Sequence, residues 1–252
     1  MKIFCVYFQG KYSTDYVGKL MRALRRNSTC DFEFICYSDT LKVEADRVIL
    51  LPENTDIKLH WHKLKFFDSS FADQTPGEEI IVLDIDQVIV NNIDEMLQYP
   101  CQGNTLVSYQ KWWNFDTGNN IMLLNGGWYK FRSGELDYVY RKFISDVKRW
   151  QLHYFNEKIV TIPFYGEQNF VQDTVIENGG YISLMPGEYV VKYQADNKYE
   201  NDQRAILYTT TFKKPFMLLG GVWHDDVKIV HFTDILNRVH ECREPWVQEH
   251  WR

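Results

Sequence analysis

Short apolar runs alternate with segments of helical period through the first hundred residues, a pattern that few folds can accommodate. Ile3 to Phe8 reads as a buried strand, and Tyr16 to Arg26 then carries Val17, Leu20, Met21 and Leu24 on one helical face. Phe32 to Tyr37 and Arg47 to Leu51 read as the second and third strands. His60 to Phe67 begins a helix with Trp61, Leu64 and Phe67 as apolar positions, and Pro76 and Gly77 break the chain before its strongest strand, Ile80 to Leu83. The alternation predicts an α/β fold with a mostly parallel central sheet flanked by helices, in which ligands bind beyond the carboxyl ends of the strands. The site is therefore expected just past Leu83.

The second half is less regular. Thr105 to Tyr109 is a further strand candidate, followed from Trp112 to Gly127 by a stretch rich in Trp, Asn and Gly with a strand-like Asn120 to Leu124 inside it. Leu136 to Leu152 has helical spacing throughout, Gln168 to Glu177 predicts a helix closed by Gly179 and Gly180, and late strands are expected at Tyr181 to Leu184 and Lys228 to Phe232. Gln194 to Arg204 is the most polar stretch and reads as a loop. Without an internal repeat or a low-complexity linker, one domain over residues 1–252 is the simplest account.

Composition narrows the function classes. With 45% hydrophobic residues in 252, the chain can bury a large core. Its 34 acidic against 28 basic residues, net charge -6, set a field that repels phosphate backbones, so no nucleic-acid partner is expected. Five cysteines, odd in number and without a CxxC pair, read as reduced thiols, with Cys5 and Cys36 as buried apolar residues. No apolar run approaches the roughly 18 to 20 residues needed to cross a bilayer. The sequence as written reads as soluble and cytoplasmic; a chain parted from a membrane anchor would read the same.

One stretch carries chemistry that a core does not need. Ile80-Ile81-Val82-Leu83-Asp84-Ile85-Asp86-Gln87-Val88-Ile89-Val90 sets two carboxylates into an apolar run, and in extended backbone Asp84 and Asp86 project to one face while Ile85 faces away. Two like charges beside a core repel and lose hydration unless a cation or proton compensates, and a divalent metal does so.

With that strand in place the chain resembles the GT-A fold glycosyltransferases, whose Asp-x-Asp motif holds a divalent cation against the diphosphate of a nucleotide sugar. Asn125-Gly126-Gly127 looks like the Asn-x-Gly segment of glycosyltransferase family 8, Glu167-Gln168-Asn169 like its acidic-Gln motif, and His231-Phe232 like its late His-Phe motif. The resemblance implies a GT-A-like single domain, with a nucleotide-sugar-binding half over about 1–110 and an acceptor-side half over about 111–252. It implies metal ligation by Asp84, Asp86 and His231. A nitrogen ligand beside two carboxylates suits Mn2+ better than Mg2+.

The resemblance also implies further site residues, by their place relative to the family's motifs. On the donor side these are Phe8, Gly10, Lys11 and Tyr12 after the first strand, Lys63 before the metal strand, and Asp84, Ile85, Asn125, Gly126 and Gln168. Here Asp234 stands near the family's glycine position and Pro245-Trp246 arrives late, so Arg238 and Arg243 are the cations available there for the diphosphate. Trp112 and Trp113 are candidate platforms for an acceptor sugar. Glu167 or Asp116 would act as general base in an inverting enzyme, or steady the oxocarbenium-like centre in a retaining one.

The activity implied is metal-dependent transfer of a sugar from a UDP- or GDP-sugar to the hydroxyl of a glycan or other acceptor. Two alternatives stand beside it. Leu83 to Val88 also fits the DxDx(T/V) pattern of haloacid-dehalogenase-like phosphatases, with Asp225-Asp226 as the late acidic pair, and a relative that binds nucleotide sugar or glycan without turnover would carry the same motifs.

Overall fold

Alternation along the strands shows how the core is divided. The computed structural model describes residues 1–111, 121–193, 226–232 and 238–252. Strand β1 (Lys2–Tyr7) sends Ile3, Cys5 and Tyr7 to one face of the sheet and Phe4 to the other. Strand β2 (Glu33–Ser38) likewise splits Phe34 and Cys36 from Ile35 and Tyr37, and β4 (Glu79–Leu83) splits Ile81 and Leu83 from Ile80 and Val82. Strands buried on both faces read as continuous apolar runs, which is why these were legible. Burying each such Ile, Leu or Phe contributes about 1.5–3 kcal/mol.

Further elements include α1 (Asp15–Arg26), β3 (Arg47–Leu50), a 3₁₀ helix Leu59–Phe67, β5 (Gln87–Ile89), α2 (Asp94–Leu97), β6 (Thr105–Ser108) and β7 (Trp128–Arg132). They continue with α3 (Asp137–Ser145), α4 (Val147–Asn156), α5 (Glu167–Glu177), β8 (Tyr181–Leu184), β9 (Val190–Lys192), β10 (Ile229–His231) and a short helix Pro245–His250. Seven strands form one sheet in the order β3-β2-β1-β4-β7-β6-β8, parallel except that β7 runs antiparallel to both neighbours. A second sheet has the order β5-β10-β9. Helix α1 packs on one face of the main sheet; the 3₁₀ helix, α3 and α5 cover the other.

Three expectations change. Leu136 to Leu152 is two helices, because Asp146 leaves helical geometry at φ -160° and ψ 75° and its carboxylate accepts the N–H of Arg149 as the cap of α4. The strand-like Asn120 to Leu124 contributes a single bridge, Gln110 to Leu124, with Asn120 itself outside the described residues. Strand β7 was not foreseen, because Lys130 and Arg132 break its apolar pattern. Both are compensated: Lys130, fully buried, donates to the carbonyls of Leu97 and Tyr99, and its ammonium lies 3.2 Å from Glu79. The aromatic and large side chains of Trp128, Tyr129 and Phe131 were the signal available.

Candidate functional site

The two sheets join at the aspartate pair. Strand β4 ends at Leu83, yet the N–H of Asp84 still donates to the carbonyl of Gly127 at 3.1 Å, after which the chain bends through Ile85 and starts β5 at Gln87. That bend corrects the expected geometry: the two carboxylates converge where the chain leaves one sheet for the other, not along an extended strand. Ile85 is 6% exposed, packed in the core while forming part of the cavity wall.

His231 arrives from the far end of the sequence. It closes β10, whose antiparallel register sets it opposite Gln87, and the N–H of Phe232 donates to the carbonyl of Asp86 at 2.9 Å. The pairing brings Nε2 of His231 to 3.3 Å from Oδ1 of Asp86. Asp84, Asp86 and His231 each offer one ligand atom, and the three atoms lie within 4.8 Å of one another. Two carboxylate oxygens and an imidazole nitrogen are a donor set that fits a divalent cation.

These groups open into a cavity of about 510 Å³, within the range of small-ligand sites. Phe8, Lys11 and Tyr12 line it from the segment after β1, and His60 and Lys63 from the 3₁₀ helix. That helix repeats every three residues, so positions 60 and 63 project to the same side. Asn125, Gly126, Glu167 and Gln168 close the far wall. The backbone N–H of Gly126 donates to Oε1 of Gln168 at 2.9 Å, tying the Asn-Gly-Gly turn to the start of α5.

Charge is balanced locally. Lys63, 6% exposed, holds its ammonium 2.6 Å from Oδ1 of Asp84 and donates to the carbonyl of Gly126 at 2.8 Å. Burial pulls its pKa down, but Asp84 and Glu167 more than offset that and hold it above the usual lysine value. Asp86 is held below the ordinary carboxyl range: burial alone would raise it, and the imidazole of His231 with the hydroxyl of Tyr12, donating at 2.7 Å, outweigh burial. Glu167, 3% exposed, is raised by burial to about 7 despite the nearby Lys63 and a 2.9 Å hydrogen bond from the Tyr129 hydroxyl. His60 is lowered to about 3, mainly by burial and next by Lys63, so its imidazole is neutral.

Of the residues expected from sequence, Phe8, Lys11, Tyr12, Lys63, Asp84, Ile85, Asp86, Asn125, Gly126, Glu167, Gln168 and His231 line this one cavity. Gly10 sits at φ 93° in the turn between Phe8 and Lys11 and serves the backbone there, outside the lining. Arg238 and Arg243 are exposed and do not contribute to the described wall. Asp116, Trp112, Trp113, Asp225 and Asp234 lie outside the described residues. His60, Tyr109 and Tyr129 were not singled out as polar participants. His60 could have been found from its three-residue spacing to Lys63; the two tyrosines are reached only through pairing across the sheets.

No family model matches the chain, and no curated protein matches it in sequence. Solved structures do match. A galactosyltransferase, LgtC, in complex with donor and acceptor sugar analogs superposes with TM-score 0.59 at 9% identity, covering 99% of this chain and 94% of that one. An active-site mutant of LgtC gives TM-score 0.59 at 10% identity over the same shares. The glycosyltransferase GlyE of Streptococcus pneumoniae matches with TM-score 0.50 at 14% identity over 91% of this chain, which spans 53% of that protein. At these identities the likeness establishes the fold, and it is the GT-A-like α/β fold, similar to that of family 8 glycosyltransferases.

Proposed function

We propose that this protein transfers a sugar from a nucleoside-diphosphate sugar to an acceptor hydroxyl, using a divalent cation held by Asp84, Asp86 and His231. One observation carries the reading: the aspartate pair ending β4 meets a histidine from β10 in a cavity that also holds Lys63 and Glu167, within a fold shared with glycosyltransferases. The same likeness favours sugar transfer over the phosphatase that the Asp-x-Asp pattern alone allows. Residues 1–110 would form the donor half and the remainder the acceptor half, with UDP or GDP as the donor nucleotide and a glycan or other hydroxyl compound as acceptor. The reading makes no use of nucleic acid. No helix among the described residues is long and apolar enough to cross a membrane.

When bound, manganese would supply Lewis-acid stabilisation of the negative charge that grows on the departing diphosphate. The chain's own groups do the rest. Lys63 places a buried positive charge beside Asp84, where it can neutralise part of the same phosphate charge, and low dielectric around it strengthens that effect. Tyr12 and Phe8 offer aromatic faces for the base at the cavity's β1 side, and Lys11 is within the same wall. Glu167, ionised above pH of about 7, faces the reacting sugar as base or as electrostatic partner of the positive centre.

The test is incubation of the purified protein with manganese and a panel of UDP- and GDP-sugars, reading release of nucleoside diphosphate. Turnover of at least one donor, abolished by chelator and by Asp86→Ala in a folded variant, is the expected result. Full activity in chelator removes the mechanism; tight nucleotide binding without turnover on any donor assigns a non-catalytic role.

A further inference from the structure

Behind the aspartates, on the opposite nitrogen of the His231 ring, lies a hydrogen-bonded chain that the sugar-transfer chemistry does not itself require. Its proton order can be read from one backbone group. The N–H of Gly127 donates to the Asn125 side chain at 2.9 Å, so the atom it meets is the amide oxygen Oδ1, an acceptor. The Tyr109 hydroxyl lies 3.0 Å from that same oxygen and must direct its single proton there. Toward Nδ1 of His231, 2.7 Å away, the hydroxyl oxygen can then only accept. Nδ1 therefore carries the hydrogen, and in the neutral ring Nε2 carries the lone pair. Nε2 is the nitrogen that faces Asp86 at 3.3 Å.

The three groups are closely packed. Tyr109 is 1% exposed, His231 5% and Asn125 6%. A Cβ on Gly127 would overlap the Tyr109 hydroxyl and come within 2.6 Å of Cε1 of His231, so the second glycine of Asn-Gly-Gly is the space that lets phenol and imidazole meet. A lone pair aimed at a carboxylate is repulsive unless a proton or a cation lies between them.

We propose that Tyr109, itself aligned by Asn125, is a positioning residue that locks His231 in the Nδ1–H tautomer and so presents Nε2 to the cation. The inference rests on the metal-binding reading above and adds to it a group that touches neither metal nor donor. Partners on the non-ligating nitrogen set tautomer, ring orientation and basicity of a histidine ligand, and losing one lowers metal affinity by about 10–100-fold.

The experiment combines nitrogen-15 NMR of the histidine rings, in metal-free protein and with magnesium as a diamagnetic ion, with manganese titration followed by the electron paramagnetic resonance of the free ion. Wild type is expected to show a protonated Nδ1 in both states, with Nε2 sharing a proton with Asp86 in metal-free protein and unprotonated once the ion is bound. Tyr109→Phe is expected to mix the two tautomers and bind manganese about 10–100-fold more weakly with an otherwise unchanged amide spectrum. A wild-type ring unprotonated on Nδ1 overturns the proposal, and this holds even where the variant does not fold. Unchanged manganese affinity in Tyr109→Phe, with affinity lost in Asp86→Ala, removes the positioning role and leaves the metal site standing. Wild type that takes up no manganese removes the metal reading, and this proposal falls with it.

Discussion

The ammonium of Lys63 lies 2.6 Å from Oδ1 of Asp84, with Lys63 buried and the Asp84 side chain 31% exposed. This pair settles how an Asp-x-Asp bend survives beside a core before any metal arrives: one of its two negative charges is already matched from the 3₁₀ helix. Replacing Lys63 by Met leaves Asp84 unmatched. Breaking a fully buried pair costs about 3–5 kcal/mol, and the partial exposure of Asp84 reduces this to about 1–3 kcal/mol. Urea denaturation at pH 7 with and without manganese measures it, and a variant as stable as wild type without metal would show that Lys63 serves only the donor.

Glu167 gives a pH signature whose sign follows from its burial. Its carboxyl titrates at about 7 in the folded protein against an ordinary 4.5, so between those values the folded state keeps a proton that the unfolded chain releases. Stability therefore falls as pH rises through that window, and the cost is fully present above it. Glu167→Gln should be more stable than wild type at pH 8, by up to about 3 kcal/mol less what Lys63 loses in a neighbour, and indistinguishable at pH 4. Donor turnover by wild type should rise through pH of about 7 as Glu167 ionises. A stability difference that is the same at both pH values would refute the assignment of the proton to Glu167.

Gly127→Ala probes the contact between the sheets. Its methyl meets the Tyr109 hydroxyl and the His231 ring, and overpacking of this kind costs about 1–3 kcal/mol. The imidazole should also be displaced from Asp86, so manganese uptake should fall more than stability does. Calorimetric titration of a folded Gly127→Ala protein checks this; wild-type affinity there would mean the ring has room to move.

Metal binding should be visible without substrate. A ligand that binds only the folded state at 100 times its dissociation constant adds about 2.7 kcal/mol. Manganese should accordingly raise the melting temperature of wild type and leave that of Asp86→Ala unmoved. Equal shifts in the two proteins would place the ion elsewhere.

Local pattern and tertiary structure contribute different parts of this protein. Strands β1, β2 and β4 and helices α1 and α5 are legible because a strand covered on both faces must be apolar throughout and a helix covered on one must be apolar every three to four residues. Asp84 and Asp86 stand out for the complementary reason, that charge in such a run has no structural use. Strand β7 escaped because its lysine is neutralised by carbonyls of Leu97 and Tyr99 and by Glu79, none of them near it in the chain.

What a linear string cannot specify is which distant groups share a proton or a charge. The sequence by itself determined a parallel-rich α/β fold, an acidic pair at a strand end and a late histidine as candidates for one site. Only the antiparallel pairing of β10 with β5 brought His231 to Asp86, and only the turn at Gly127 set Tyr109 behind its ring. The physical reason is range: periodicity reports which face is buried within a few residues, whereas hydrogen bonds and ion pairs depend on ångström distances set by the whole sheet.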